Sequence, residues 1–313
     1  MLGVLAKTGA KTWCFDGEFV VVCVVNVVLW HHVFYARKMR HEFWIYFGFP
    51  LLGSDVKTVL TVLQINWPHV TLGSHPALHT VFETLAYAVG YAVYRRSRSR
   101  SGDILDDDRR WLIIAAAAVG ALLGSRILGL LEQAPKLHLT WSSLLLPGGK
   151  TIVGGLLGGW VAVELIKRLR GIQSRTGDLF AVPLCIGIAI GRIGCFLAGL
   201  ADDTYGTPTS VPWAIDFGDG IPRHPTQLYE IAFLLVLALV LHRYNQRPHR
   251  EGLTFRLFLP AYLSWRFLID FIKPQPIVFG LNLIQWSCLA GLIALFPDIV
   301  SIVRPRRVME ETI

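Results

Sequence analysis

Long apolar stretches alternate with short polar segments along most of the chain. A membrane-crossing helix needs roughly 20 predominantly apolar residues. From residue 77 onward seven stretches approach that length: 77–94, 111–131, 150–166, 178–199, 227–242, 254–272 and 281–303. The polar segments that follow each of them contain 6, 1, 4, 1, 3, 1 and 3 Lys and Arg residues in turn. Basic connections stay on the cytoplasmic side of a membrane. The alternation therefore predicts an all-α polytopic membrane protein with a seven-helix transmembrane core, residue 76 outside and residue 313 inside. A miscounted span would break the alternation.

The first 75 residues follow a different pattern. Residues 18–36 can form an extra N-terminal helix, and Arg37, Lys38 and Arg40 after it would lie inside. The chain would then have to cross again before residue 76. Residues 43–66 make a poor span, because they carry Pro50, Gly53, Ser54, Asp55 and Lys57. No basic stretch with a short apolar run and a small-residue cleavage site is present, so a signal peptide is not expected. The division expected is an N-terminal extension over 1–75 and a membrane domain over 76–313.

Composition agrees with the pattern. Of 313 residues, 53% are hydrophobic and 17% charged, against roughly 25% charged in a soluble domain, and mean hydropathy is +0.49. The net charge of +8 sits in short runs between apolar stretches. It reads as a topology signal rather than a nucleic-acid surface. The five cysteines are scattered without a CxxC pair, so the sequence indicates no disulfide framework, no metal site and no cofactor.

Ionisable groups inside spans are costly and mark candidate sites. They are His79, Glu83, Arg126, Glu164, Arg192, Glu230, Arg266 and Asp270. Glu164 sits near a cytoplasmic end and reads as interfacial. Three are arginines, whose planar fork of donors suits phosphate. The functional reading is an anion site; the bland one is helix pairing with Glu83, Glu230 or Asp270. Small residues four apart allow close helix approach, and they recur at Gly120 and Gly124, in Gly154-Gly155-Leu156-Leu157-Gly158-Gly159, and at Gly187 and Gly191, whose face Gly194 and Ala198 continue. Gly154 and Gly155 open a helix, where backbone donors can also hold an anion. The loop 199–226 carries Asp202, Asp203, Asp216 and Asp219 against Arg223. It leads into Arg223-His224-Pro225-Thr226-Gln227-Leu228-Tyr229-Glu230. That block packs a cation, an imidazole, an amide, a phenol and a carboxylate into eight residues.

These residues resemble the bacterial prolipoprotein diacylglyceryl transferase family. Its signature runs from GRxGNF through an acidic loop with a PW step to RHPSQLYE. The corresponding residues here are Gly191-Arg192-Ile193-Gly194-Cys195-Phe196, Pro212-Trp213 and Arg223 to Glu230. Gly124-Ser125-Arg126 is similar to the family's GAR step, Gly154 to Gly159 to its HGGLxG motif, and Arg266 to Phe271 to its RxxxEF step. Gln285 falls where a late-helix Gln is expected. The resemblance spans about residues 77–303. It departs at Val153 for the family His, Cys195 for Asn, Ala198 and Leu200 for Asn and Glu, and in an insertion that includes Asp202 and Asp203.

The resemblance implies transfer of the diacylglyceryl group of phosphatidylglycerol to the thiol of a lipoprotein precursor, at the outer face of the bacterial inner membrane, with release of glycerol phosphate. Arg192 and Arg266 would clamp the phosphate. Arg126, Gly154, Gly155, Gly191, Gly194, Arg223, Gln227, Tyr229 and Glu230 would line the phospholipid site. His224, with Glu230 or with Asp202 and Asp203, would handle the proton. No cofactor is implied, and the partners are the phospholipid, the precursor and the bilayer. The alternative is a non-catalytic binder of phospholipid or lipoprotein. A transporter is opposed by the lack of an inverted repeat or a broken helix pair.

Overall fold

The computed structural model describes residues 75–133, 149–247 and 251–303. Residues 1–74, with the expected extra helix, lie outside the described residues. Among the described residues the chain forms seven long helices: α1 (Pro76–Ser101), α2 (Asp107–Gln133), α3 (Ile152–Leu169), α4 (Asp178–Ala198), α5 (Thr226–Asn245), α6 (Leu253–Ile269) and α7 (Leu283–Val303). Segments within four of them (α2, α4, α5 and α7) are long and apolar enough to cross a membrane.

Local chemistry sets the helix ends. Pro76 opens α1, where its missing N–H costs nothing. Thr151 caps α3 by accepting from Gly154 N at 3.1 Å. A reciprocal capping box starts α7: Gln285 N donates to Asn282 Oδ1 at 2.7 Å, and Asn282 N donates to Gln285 Oε1 at 2.9 Å. The expected span 254–272 is shorter as an α-helix. It ends at Ile269 and tightens into a 3₁₀ turn, Asp270–Ile272, which buries Asp270 beneath Arg266.

The glycines set the closest helix contact. α2 lies along α3, and α1 along α4. A β-carbon at Gly124 would overlap the Gly154 carbonyl and stand 2.9 Å from Gly158 Cα. One at Gly158 would overlap the Gly120 carbonyl. The main apolar core joins Leu128, Val153, Ala189, Leu234, Phe258, Tyr262 and Cys288 across α2 to α7. Outside it, Leu122, Leu123, Ile127, Val161, Leu165, Val236, Leu239 and Ile293 point outward and are exposed. In water such a belt would cost about 25 cal/mol per Å²; it is the surface a bilayer covers.

Chain direction alternates, so the starts of α1, α3, α5 and α7 lie with the ends of α2, α4 and α6. The opposite end is tied by charge. Buried Arg110 binds Asp103, donates to the Thr176 carbonyl at 2.9 Å and lies over the Phe180 ring. Arg256 and Arg175 share Asp298 at 2.9 and 3.3 Å.

A compact loop covers the site end after α4. Strands β1 (Ile215–Asp216) and β2 (Pro222–Arg223) pair antiparallel. A second short pair, β3 (Ile277–Val278) with β4 (Leu281–Asn282), leads into α7. Between β1 and β2, Asp216 Oδ1 accepts from the N–H groups of Gly218, Asp219 and Gly220 at 2.8, 3.1 and 3.0 Å. Gly218 sits at φ +103° and Gly220 at +78°, which favours glycine there. Phe217 is 1% exposed and packs with Leu197 and Ile215, so the loop has its own small core.

Candidate active site

Three helices meet at Glu230. It lies in the second turn of α5, 1% exposed. Arg192 of α4 brings Nε to 2.9 Å from Glu230 Oε2, and Arg266 of α6 brings Nη1 to 3.1 Å from the same oxygen. Tyr262, one turn before Arg266, donates its hydroxyl to Glu230 Oε1 at 2.6 Å. Arg266 Nη2 also lies 2.9 Å from Asp270 Oδ1, with Lys273 Nζ at 3.7 Å from that oxygen. Three cations thus face two carboxylates, a surplus of one positive charge. Both arginines are 6% exposed, and Arg266 Nε has no hydrogen-bond partner among the described residues. Buried donors of this kind are normally satisfied, so the pair has capacity for an anion. Gly191 precedes Arg192, and a β-carbon there would meet nothing within 4 Å.

A second chain of groups runs beside the first. His79 of α1 lies 3.1 Å from Asp202 Oδ1 through Nδ1. Asp202 Oδ2 accepts from Thr204 Oγ1 at 2.6 Å, and Thr204 Oγ1 accepts from Gln227 Nε2 at 3.2 Å. Arg192 Nη1 reaches Cys195 Sγ at 3.7 Å. Gly194 permits this approach, since a β-carbon there would stand 2.8 Å from Phe82 Cβ and 3.2 Å from His79 Cα.

The structure thus brings together Arg192, Arg266 and Glu230, and places Asp202 and Gln227 beside them. Other candidates have different surroundings. Arg126 is half-buried on α2, outside the ion pairs on Glu230. Gly154 donates its N–H to Thr151 Oγ1, and Gly155 donates to the Thr151 carbonyl at 3.0 Å. The expected backbone anion site at this helix mouth is therefore already filled by the cap. Arg223 binds Asp219 through two 2.6 Å contacts and lies 4.9 Å from the Tyr205 ring centroid. These bonds hold the Asp219 carboxyl below its usual range, and Arg223 closes the loop. His224 Nδ1 lies 3.2 Å from Tyr229 Oη, which accepts from Trp213 Nε1 at 2.6 Å. Asp203 ends the 3₁₀ turn at φ +52° and is exposed. Glu83 pairs with Lys150 at 3.1 Å, and Glu164 with Lys167 at 2.9 Å.

Sequence reasoning missed Tyr262 and Lys273. Tyr262 is four residues before Arg266 and Lys273 three after Asp270, the spacing that shares a helix face. It also missed His79 with Cys195, which come from separate helices.

The site is thus a buried, net-positive arginine pair at one end of a helical membrane bundle. The family model for prolipoprotein diacylglyceryl transferase matches residues 73–300, and the chain belongs to that family. It is similar to the phosphatidylglycerol–prolipoprotein diacylglyceryl transferase of Bordetella parapertussis, 34% identical over 228 residues, covering 67% of this chain and 86% of the relative. The Geobacter sulfurreducens protein of the same name is 33% identical over 209 residues (63% of this chain, 77% of the relative). That of Methylobacillus flagellatus is 36% identical over 192 residues, with 56% and 71% covered.

Proposed function

We propose that this chain transfers the diacylglyceryl group of phosphatidylglycerol to a thiol of a lipoprotein precursor. The observation that carries this reading is the convergence of Arg192 and Arg266 on Glu230, with Lys273 leaving one positive charge in excess. A phosphodiester brings one negative charge and matches that surplus. When the C–O bond to phosphate breaks, glycerol phosphate leaves with a second developing charge. Two preorganised guanidinium groups stabilise that charge more than the ground state. The nucleophile belongs to the acceptor, so the enzyme needs no Ser or Cys nucleophile of its own. Asp202, Gln227 and the loop with His224 and Tyr229 form the acceptor side. A non-catalytic lipid binder is not favoured, since the relatives are named for the transfer.

The alternating basic connections support seven spans with residue 76 outside and residue 313 inside. The arginine pair then sits toward the outer face of the inner membrane. The test is release of labelled glycerol phosphate from phosphatidylglycerol by the purified protein with a lipobox peptide. Release that depends on the peptide thiol is expected. Lipid binding without release would replace the transferase by a binder.

A further inference from the structure

We propose that the tip of the β3–β4 hairpin, Ile277 to Gly280, is inserted into the interface of the lipid leaflet at the site end and sets the depth of the arginine pair. Val278 pairs with Leu281, so Phe279 and Gly280 are the two residues of the turn. Both lie at positive φ, +52° and +82°, the backbone of a turn that usually takes Asn-Gly. Phenylalanine at such a φ is strained, and Phe279 is 94% exposed. Ile277 and Val278 on β3 are 71% and 51% exposed. Successive strand residues point to opposite faces. The hairpin therefore presents apolar side chains on both faces and at its tip.

That distribution selects the occupant. A protein groove or a second copy of the chain would cover one face and leave the other in water. A bilayer interface surrounds both faces and the tip. Residues 277–281 carry no polar or charged side chain, and Pro274 and Pro276 precede them. Proline has no N–H to leave unpaired in an apolar medium. Trp286 of α7 donates its indole N–H to the Val278 carbonyl at 2.9 Å. This bond ties the hairpin to the first turn of α7 through a residue type that favours the membrane interface. Leu268 near the end of α6 and Phe271 in the 3₁₀ turn after it are exposed too, so the tip extends the belt that the bilayer covers.

The insertion stands apart from the transferase reading; its role in setting depth rests on that reading. Arg266 binds Asp270, and Asp270 lies 3.7 Å from Lys273. The chain then runs directly into the hairpin. A tip held in the headgroup region keeps the arginine pair near the level of the lipid phosphates.

The test uses the full chain in vesicles of phosphatidylglycerol and phosphatidylcholine, in a background where the natural cysteines give no signal. A nitroxide is attached to Phe279→Cys. Its collisions with oxygen, which partitions into lipid, are compared with those of a water-soluble nickel chelate. Oxygen should dominate there, and the chelate should dominate at a nitroxide on Ser210→Cys in the other loop of the same end. Chelate access at the hairpin tip overturns the insertion. So does shielding from both reagents, which a protein partner would give. The role is read from glycerol phosphate release with a lipobox peptide. Ile277→Ser combined with Phe279→Ser should raise KM for phosphatidylglycerol in vesicles several-fold and leave kcat unchanged, the mark of lost substrate binding. Phe279→Leu, which keeps an apolar tip, should keep the low KM. The rise should disappear with short-chain phosphatidylglycerol dispersed in detergent. An unchanged KM in vesicles, or an equal rise in detergent, removes the depth-setting role. No release by the unaltered chain removes the transferase reading, and the nitroxide result still decides the insertion.

Discussion

Glu230 is shared by two guanidinium groups, and this arrangement does two jobs. It keeps two buried cations paired at membrane depth, and it holds both at one point between α4, α5 and α6. Lysine is a point charge without the planar fork. Arg192→Lys should therefore fold and lose about 10²–10³ in the rate of glycerol phosphate release, the usual loss on removing one donor to a developing oxyanion. Unchanged release from a folded Arg192→Lys protein would take Arg192 out of the phosphate site. Glu230→Gln should behave differently. It leaves two buried cations with a neutral partner, at a cost of about 3–5 kcal/mol. Its melting temperature should fall, and phosphatidylglycerol should restore more of it than in the unaltered chain. Charge inside apolar stretches marked Arg192, Arg266 and Glu230 in the sequence, since such residues stand out by cost alone. Pairing with Glu230 or Asp270 was the other reading open there, and which arginine meets which carboxylate was not legible. Arg223 has the same composition signal, yet two bonds to Asp219 commit it to the loop.

At the scale of helices, the glycines divide by what lies opposite them. Gly158 faces the Gly120 carbonyl and Gly124 Cα, whereas Gly191 faces open space. A methyl at position 158 must push α2 from α3, so Gly158→Ala should cost about 1–3 kcal/mol, read as a lower detergent melting temperature. Gly191→Ala should leave melting unchanged and weaken phosphatidylglycerol binding. Spacing alone could not separate the two, because four-residue glycine repeats look alike until the partner helix is known. The α1–α2 connection adds a pH dependence. Burial pushes the Asp103 carboxyl up, but hydrogen bonds from Arg110 and from Leu105 N–H outweigh it and hold it below its usual range. A lowered folded-state value means stability that is present above the unfolded value and lost as pH falls through the folded one. Asp103→Asn should therefore lower the melting temperature at neutral pH. The difference should shrink as pH drops below about 4. A difference that stays constant from neutral pH to below that value would show that the charge on Asp103 does not stabilise this connection.

For the whole molecule, the argument concerns sides. From the Lys and Arg counts we propose that 95–110 and 167–177 face the cytoplasm. The helix directions put the loop from Gly199 to Thr226, the arginine pair and the His79–Asp202 pair at the other end. The helical membrane class was legible because membrane helices declare themselves by length and apolar composition. Contacts such as His79 with Asp202 were not, because they join distant segments through a close α1–α4 approach at Gly194. The sides can be tested with a thiol reagent that cannot cross the membrane, in a background where the natural cysteines give no signal. Ser210 is exposed on the site-end loop, and Ser101 is exposed at the opposite end of α1. Ser210→Cys should be labelled in intact cells, and Ser101→Cys only after permeabilisation. The reverse pattern would turn the bundle over. The arginine pair would then meet lipid of the cytoplasmic leaflet, and a precursor thiol arriving from outside could not reach it.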